Sequence, residues 1–232
     1  MAEKKYKRRV VDQLLAERLE EVGAVLIEGP KWCGKTTTAL QQARSTVMLA
    51  NPEVLLQSKS MIATSASHLL SGFVPRLFDE WQTLPELWDN IRYEVDARNE
   101  EGQFILTGSA VPVESGKIMH TGTGRFAWIT MRPMSLWESE ESTGHVSLQA
   151  LFDGDLAIKG ENKHQLEDIA FMLCRGGWPS SLGRSTRAAL RVASDYYDAV
   201  IKTDFVRVDN TLRNQNRSRM LLRSLARLQG TQ

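Results

Sequence analysis

The stretch Gly29-Pro30-Lys31-Trp32-Cys33-Gly34-Lys35-Thr36 constrains this chain more than any other. Its spacing, G-x-x-x-x-G-K-T, is that of a loop whose backbone amides wrap the β- and γ-phosphates of a nucleotide. The flanks suit it. Gly23 to Glu28 is a short apolar strand, and Thr37 to Arg44 has the composition of a helix. In that context Lys35 is expected to place its ammonium between the phosphates, and Thr36 to offer its hydroxyl to Mg²⁺. The nucleotide-binding stretch then runs Gly29, Pro30, Lys31, Trp32, Cys33, Gly34, Lys35, Thr36 and Thr37. Lys31 has two readings, a solvent-facing cation or a second phosphate contact. Trp32 has two as well, a cover for the loop or a stacking surface for a partner.

Periodicity supplies the rest of the frame. Apolar residues at helical spacing over 10–22 (Val10, Leu14, Leu15, Leu19, Val22) predict a first helix with those side chains on one side. Strands are expected at 24–28, 46–49, 73–78, 103–107 and 126–130, with mixed helix and loop over 53–71 and a helix over Leu84–Arg98. Strands alternating with helices predict an α/β fold, a mostly parallel sheet in a three-layer αβα arrangement of the P-loop NTPase kind. After residue 133 the strand signals fade. Helical patterns at about 162–174, 186–202 and 217–229 predict a small helical region, with Gly176-Gly177-Trp178-Pro179 breaking the first two. The expected division is therefore 1–133 for the sheet domain and 134–232 for a linker and helical region.

Chemistry in such sheets gathers at the carboxyl ends of the strands. Two sequence features fall there besides the loop, and a third precedes the fifth strand. Phe73 to Phe78 leads into Asp79-Glu80, where Asp79 suits the metal side of a bound nucleotide and Glu80 suits a base that orients water. The opposite assignment of the two carboxylates is open. Thr107-Gly108-Ser109 closes the fourth strand and offers a hydroxyl to the attacking water or the γ-phosphate, with Thr107 preferred over Ser109. Gly122-Thr123-Gly124-Arg125 precedes the fifth strand, and Arg125 suits charge neutralisation at a phosphate, from its own or a neighbouring subunit; Arg132 is the alternative.

Composition excludes several classes. With 29 basic and 28 acidic side chains the net charge is +1, which gives no general electrostatic grip on nucleic acid. The basic run Lys4 to Arg9 is short and reads as a solvated tail or helix start. No apolar run approaches a membrane span and no leader pattern follows Met1. Cys33 and Cys174 form neither a disulfide framework nor a zinc site, so a reducing, cytoplasmic setting is expected. His68, His120, His145 and His164 lack metal-ligand spacing. Trp81, Trp88, Trp128, Trp137 and Trp178 sit at apolar positions and are expected in cores or domain contacts.

The order of these motifs resembles that of the bacterial and archaeal AAA+ superfamily P-loop ATPases of the AAA_14/DUF4143 kind, which pair an AAA-type ATPase domain with a C-terminal domain of unknown function. The resemblance is carried by Leu26 to Thr37, Leu77-Phe78-Asp79-Glu80-Trp81-Gln82, Phe104 to Ser109, Gly124-Arg125 and Arg132-Pro133-Met134-Ser135-Leu136-Trp137-Glu138. Gly176 to Pro179 and Asp195 to Asp204 resemble the start of the second domain. It implies an AAA+/RecA-like sheet, ATP and Mg²⁺ as ligands, the Asp79-Glu80 pair as the acidic element, a polar sensor at Thr107 or Ser109 and an arginine finger at Arg125. Trp81-Gln82 departs from the family pattern, a change expected in packing beside the site. Family members run near 400 residues, so the C-terminal domain is expected to be incomplete here.

Four functions fit the residues: an ATPase that switches shape, a nucleotide-dependent binding module with little turnover, a DNA-associated accessory, and a small-molecule kinase. The strand-end Asp79-Glu80 pair favours water as the nucleophile. Expected partners are ATP and ADP, a protein client, and further copies of the chain if Arg125 works in trans.

Overall fold

The computed structural model describes residues 5–109, 122–154, 159–204 and 214–229. Two compact units divide the chain, Met1–Gly160 and Glu161–Gln232. The first holds a five-stranded parallel sheet. Its elements are α1 (Val10–Glu21), β1 (Ala24–Gly29), α2 (Lys35–Ala39), β2 (Ser45–Met48), α3 (Pro52–Leu70), β3 (Arg76–Asp79), α4 (Leu87–Arg98), β4 (Phe104–Ser109), β5 (Phe126–Thr130) and α5 (Leu148–Phe152). The strand order is β2-β3-β4-β1-β5. This is the α/β, P-loop NTPase-like architecture that the alternating pattern predicts.

The strands are buried on both faces, as a parallel sheet covered by helices requires. Side chains alternate across a strand, so Leu26, Phe78 and Leu106 face one way and Val25, Ile27, Leu77 and Ile105 the other. The first set packs with Leu84, Leu87, Trp88 and Ile91 around α4 and with Leu69 and Leu70 of α3. The second set is fully buried as well, and α1 and α2 lie against β1. The aromatic part of the core continues through Trp81, Trp88 and Phe126, with Trp88 stacked on Phe126 at 4.0 Å.

Register sets up the site. Asp79 pairs with Thr107 across β3 and β4, and Thr107 pairs with Ile27 across β4 and β1. The ends of β1, β3 and β4 are therefore level, and β4 sits between the other two.

Several expectations shift. Val10 and Leu14 are exposed, and α1 is anchored by Leu15 and Leu19 instead. The 53–71 stretch is one long helix, α3, with non-helical backbone at Ser65. The third strand begins only at Arg76; Phe73 is exposed, and Pro75, without an N–H, stands outside the ladder. Trp128 and Trp137 are about half exposed, because Trp128 lies on the edge strand β5 and Trp137 on the surface after it. The compact unit continues past residue 133, because Glu138 is buried against Arg9.

The second unit contains α6 (Leu166–Arg175), α7 (Thr186–Ala199), a wide helical turn Val200–Asp204 and α8 (Gln215–Leu228). α6 packs on α7. Trp178 meets Tyr196 at 4.2 Å between ring centres, and Arg219 of α8 pairs with Asp198 at 2.9 Å. Leu221, Leu225 and Leu228 of α8 are exposed. No described helix is long and apolar enough to cross a membrane. His68 and His145 are exposed, and His120 lies outside the described residues.

Candidate nucleotide site

β1 ends at Gly29 and the chain turns through 30–34 into α2, so the loop sits at the carboxyl end of an inner strand, between β4 and β5. Gly29 has no room for a side chain: a Cβ there would lie 2.1 Å from the Met131 carbonyl oxygen. Lys35 is buried and folds back into the loop, where Nζ donates to the Gly29 and Pro30 carbonyls at 3.0 Å each. Lys31 is half-buried, Trp32 is exposed, Cys33 is buried and Thr37 is exposed on α2. Burial raises the Cys33 thiol above its ordinary value, with Lys35 and Arg9 acting in the other direction, so it behaves as a packing group.

Strand β3, strand β4 and the start of α2 meet at one oxygen. Thr36 Oγ1 donates to Asp79 Oδ1 at 2.6 Å, and Thr107 Oγ1 donates to the same oxygen at 2.6 Å. The loop hydroxyl, the β3 carboxylate and the β4 hydroxyl thus form one hydrogen-bonded unit, as the level strand ends require. Glu80 follows Asp79 with left-handed backbone, φ 57° and ψ 45°. That conformation is uncommon for a residue with a side chain and clusters at functional sites. Trp32 adopts the same region, with φ 65°.

Gln82, expected only to alter packing beside the site, instead reaches the second carboxylate. Its Nε2 donates to Glu80 Oε2 and stands 3.5 Å from Ser109 Oγ. The amide therefore links the second carboxylate to the end of β4. Gly108 makes this approach feasible, since a Cβ there would fall 2.7 Å from Gln82 Oε1 and 2.9 Å from Trp81 Nε1. The contact depends on a single turn of 3₁₀-helix (Trp81–Thr83), which lays an amide two residues past Glu80 back over its carboxylate. Thr107 and Ser109, alternatives in the sequence, take different positions, Thr107 on Asp79 and Ser109 beside Gln82.

Arg9 is the second omission. Read as part of a solvated run, it is buried and bonds the outside of the phosphate loop: Nη1 donates to the Cys33 carbonyl at 2.7 Å. Tyr6, in the same run, donates to Asp12 at 2.5 Å and meets Thr38 Oγ1 of α2 at 3.0 Å.

Arg125 is not brought to the loop of its own chain. Its carbonyl accepts from Ala24, which opens β1, whereas the loop follows Gly29, which closes it. A strand of that length separates them by roughly 16 Å. The Arg125 guanidinium pairs with Asp96 of α4, Nε to Oδ1 at 2.7 Å and Nη2 to Oδ2 at 3.3 Å. This hydrogen-bonded contact, with the Arg125 charge, lowers the Asp96 carboxyl below its ordinary value and raises Arg125. Arg132, the alternative, is exposed.

The family model for an AAA domain, AAA_14, matches residues 21–140. The chain belongs to this AAA family. The match spans the loop, Asp79-Glu80, the end of β4 and the Arg132–Glu138 segment, so AAA membership and the P-loop NTPase-like sheet support nucleotide binding in general. Among solved structures, PCH-2 of C. elegans is similar at 13% identity and a TM-score of 0.35, over 81% of this chain and 60% of that one. The chain thus spans less than two thirds of the PCH-2 chain it matches. No curated protein matches the sequence.

Proposed function

We propose that this AAA domain binds ATP with Mg²⁺ at the 29–37 loop and hydrolyses it to ADP and phosphate. The observation that carries the reading is the shared Asp79 oxygen, which joins the loop hydroxyl, the β3 carboxylate and the β4 hydroxyl. Each group has a task. Lys35, already inside the loop, neutralises phosphate charge. Glu80 orients the attacking water and accepts its proton, and Gln82 holds Glu80 in place. Thr107 fixes Asp79, and Ser109 steadies Gln82 from the strand end.

The donor set fits Mg²⁺, a hard cation that prefers oxygen and keeps several waters. Thr36 and Asp79 would hold it. When bound it screens the charge of the β- and γ-phosphate oxygens. No described group of three or more His, Cys, Asp or Glu side chains could hold a metal by itself. That accords with a metal held by one carboxylate, one hydroxyl and the substrate's own phosphates.

Arg125 serves as a finger only in trans. It lies at the far end of the sheet from its own loop and is surface-exposed, so a second copy of the chain would have to receive it. The helical unit is proposed to be DUF4143-like, on the resemblance of Gly176 to Pro179 and Asp195 to Asp204.

Phosphate release from Mg²⁺-ATP, measured across protein concentration, tests the reading. Specific activity is expected to rise with concentration, to disappear in Lys35→Ala, and to lose its concentration dependence in Arg125→Ala. Nucleotide bound without release at any concentration would replace hydrolysis with a binding-module function. Failure to bind nucleotide at all would sink both.

A further inference from the structure

Arg9 stands outside every role assigned so far, yet its surroundings are built with care. Its side chain is 5% exposed, and its partner Glu138 is 6% exposed. All three kinds of guanidinium nitrogen are used: Nε donates to Glu138 Oε1 at 2.9 Å, Nη1 to the Cys33 carbonyl at 2.7 Å and Nη2 to the Arg132 carbonyl at 2.8 Å. Glu138 is equally satisfied. Oε1 also accepts from the Val10 amide at 2.8 Å, and Oε2 accepts from the Ser135 amide at 2.7 Å and the Ser135 hydroxyl at 3.1 Å. A buried ion pair is weak evidence for stability as such, since desolvation offsets most of the attraction. A planar fork that grips two backbone carbonyls and one carboxylate is a device for fixing geometry.

The carbonyl it grips matters. Cys33 is bonded to Gly34, and in a trans peptide the C=O and the next N–H point in opposite directions. Holding the Cys33 oxygen toward Arg9 turns the Gly34 N–H to the opposite side of the loop. We propose that Arg9 is a positioning residue of the nucleotide site, in which the Glu138-braced guanidinium pins the Cys33 carbonyl outward and aims the Gly34 amide at the phosphates. A preformed donor array binds an anion without first reorganising, so the contribution falls on affinity. Linkage makes the effect reciprocal: bound nucleotide tightens the clasp and orders the two segments it joins, 9–12 and 135–138. The proposal rests on nucleotide binding at the 29–37 loop.

The test uses the full chain. Mg²⁺-ATP affinity and steady-state phosphate release are measured for wild type, Lys35→Ala and Arg9→Lys, at a temperature where circular dichroism shows each one folded. Lysine keeps the charge beside Glu138 but cannot reach both carbonyls. Arg9→Lys is expected to weaken ATP binding and raise KM by about 10- to 100-fold, with kcat retained. Affinity within about twofold of wild type, with only a lower melting temperature, would overturn the proposal and leave Arg9 a stability residue. If Arg9→Lys does not fold, hydrogen exchange on wild type decides. The Val10 and Ser135 amides, both bonded to Glu138, are expected to exchange more slowly with Mg²⁺-ATP, and unchanged exchange at both would overturn the proposal. Failure of the nucleotide reading is separable, because it shows in wild type alone as absence of ATP binding that Lys35→Ala removes.

Discussion

Glu80→Gln is expected to lower phosphate release by about 10²–10⁴-fold while ATP affinity stays near that of wild type. Asp79, Thr36 and Lys35 make the contacts expected of metal and phosphate, and none of them hydrogen-bonds through the Glu80 side chain. The substitution keeps the size and the acceptor of the amide carbonyl but removes the capacity to take a proton from water. Gln82→Ala should fall between wild type and Glu80→Gln. It leaves the carboxylate in place but frees it from the amide that holds it, a loss of about 10- to 100-fold in kcat for one hydrogen bond to a charged group. Single-turnover phosphate release beside a binding isotherm separates the two effects. A Glu80→Gln variant that turned over normally would remove Glu80 from the water-orienting role. A Gln82→Ala variant with raised KM and unchanged kcat would place Gln82 in nucleotide binding instead.

Much of this arrangement was legible in the sequence because it is local. The G-x-x-x-x-G-K-T spacing, the apolar run ahead of Asp79-Glu80 and the run ahead of Thr107 are each written in fewer than ten residues. Their convergence follows once the sheet is parallel and the strand ends are level. Thr107 is preferred over Ser109 as the expected strand end; β4 in fact runs on to Ser109, and it is the register pairing Thr107 with Asp79 that brings its hydroxyl to the carboxylate. What could not be read is what depends on distant pairing. Arg9 and Glu138 are separated by most of the first unit, and a single arginine ahead of an amphipathic helix looks like any solvated cation. Gln82 lies beside the motif, but only the 3₁₀ turn and the left-handed backbone of Glu80 bring its amide back over the carboxylate. The position of Arg125 is a matter of strand direction. A residue just before a parallel strand lies at the opposite end from the loop that follows its neighbour, and that topological fact removes the cis reading. Trp128 is exposed because β5 is an edge strand, and edge position is a property of strand order that no local window contains.

Glu138→Ala is expected to destabilise the sheet unit by about 3–5 kcal/mol, because it leaves the Arg9 guanidinium buried with no carboxylate. For a protein of this size that corresponds to a fall of roughly 6–20 °C in melting temperature. Glu138→Gln is the more informative partner, since glutamine resembles the protonated form of the wild-type side chain. Burial alone would raise the Glu138 carboxyl, but the Ser135 and Val10 amides and the Arg9 guanidinium outweigh it and hold the group below its ordinary value. A group depressed in the folded state contributes stability that is fully present above its unfolded value, about 4.3 for glutamate, and is lost as pH falls through the folded value. The gap in melting temperature between wild type and Glu138→Gln is therefore expected to be widest above about pH 5 and to narrow on acidification below about 4.3. Wild type and Glu138→Gln share every other titrating group, so the narrowing reports Glu138. A gap that held constant from neutral to acid pH would mean that the carboxylate charge contributes nothing, and that the four bonds to the Glu138 carboxylate act only as neutral hydrogen bonds. A gap that narrowed while ATP affinity also fell with pH would tie the same ionisation to the loop, because the only route from Glu138 to the Cys33 carbonyl in these contacts runs through the Arg9 guanidinium.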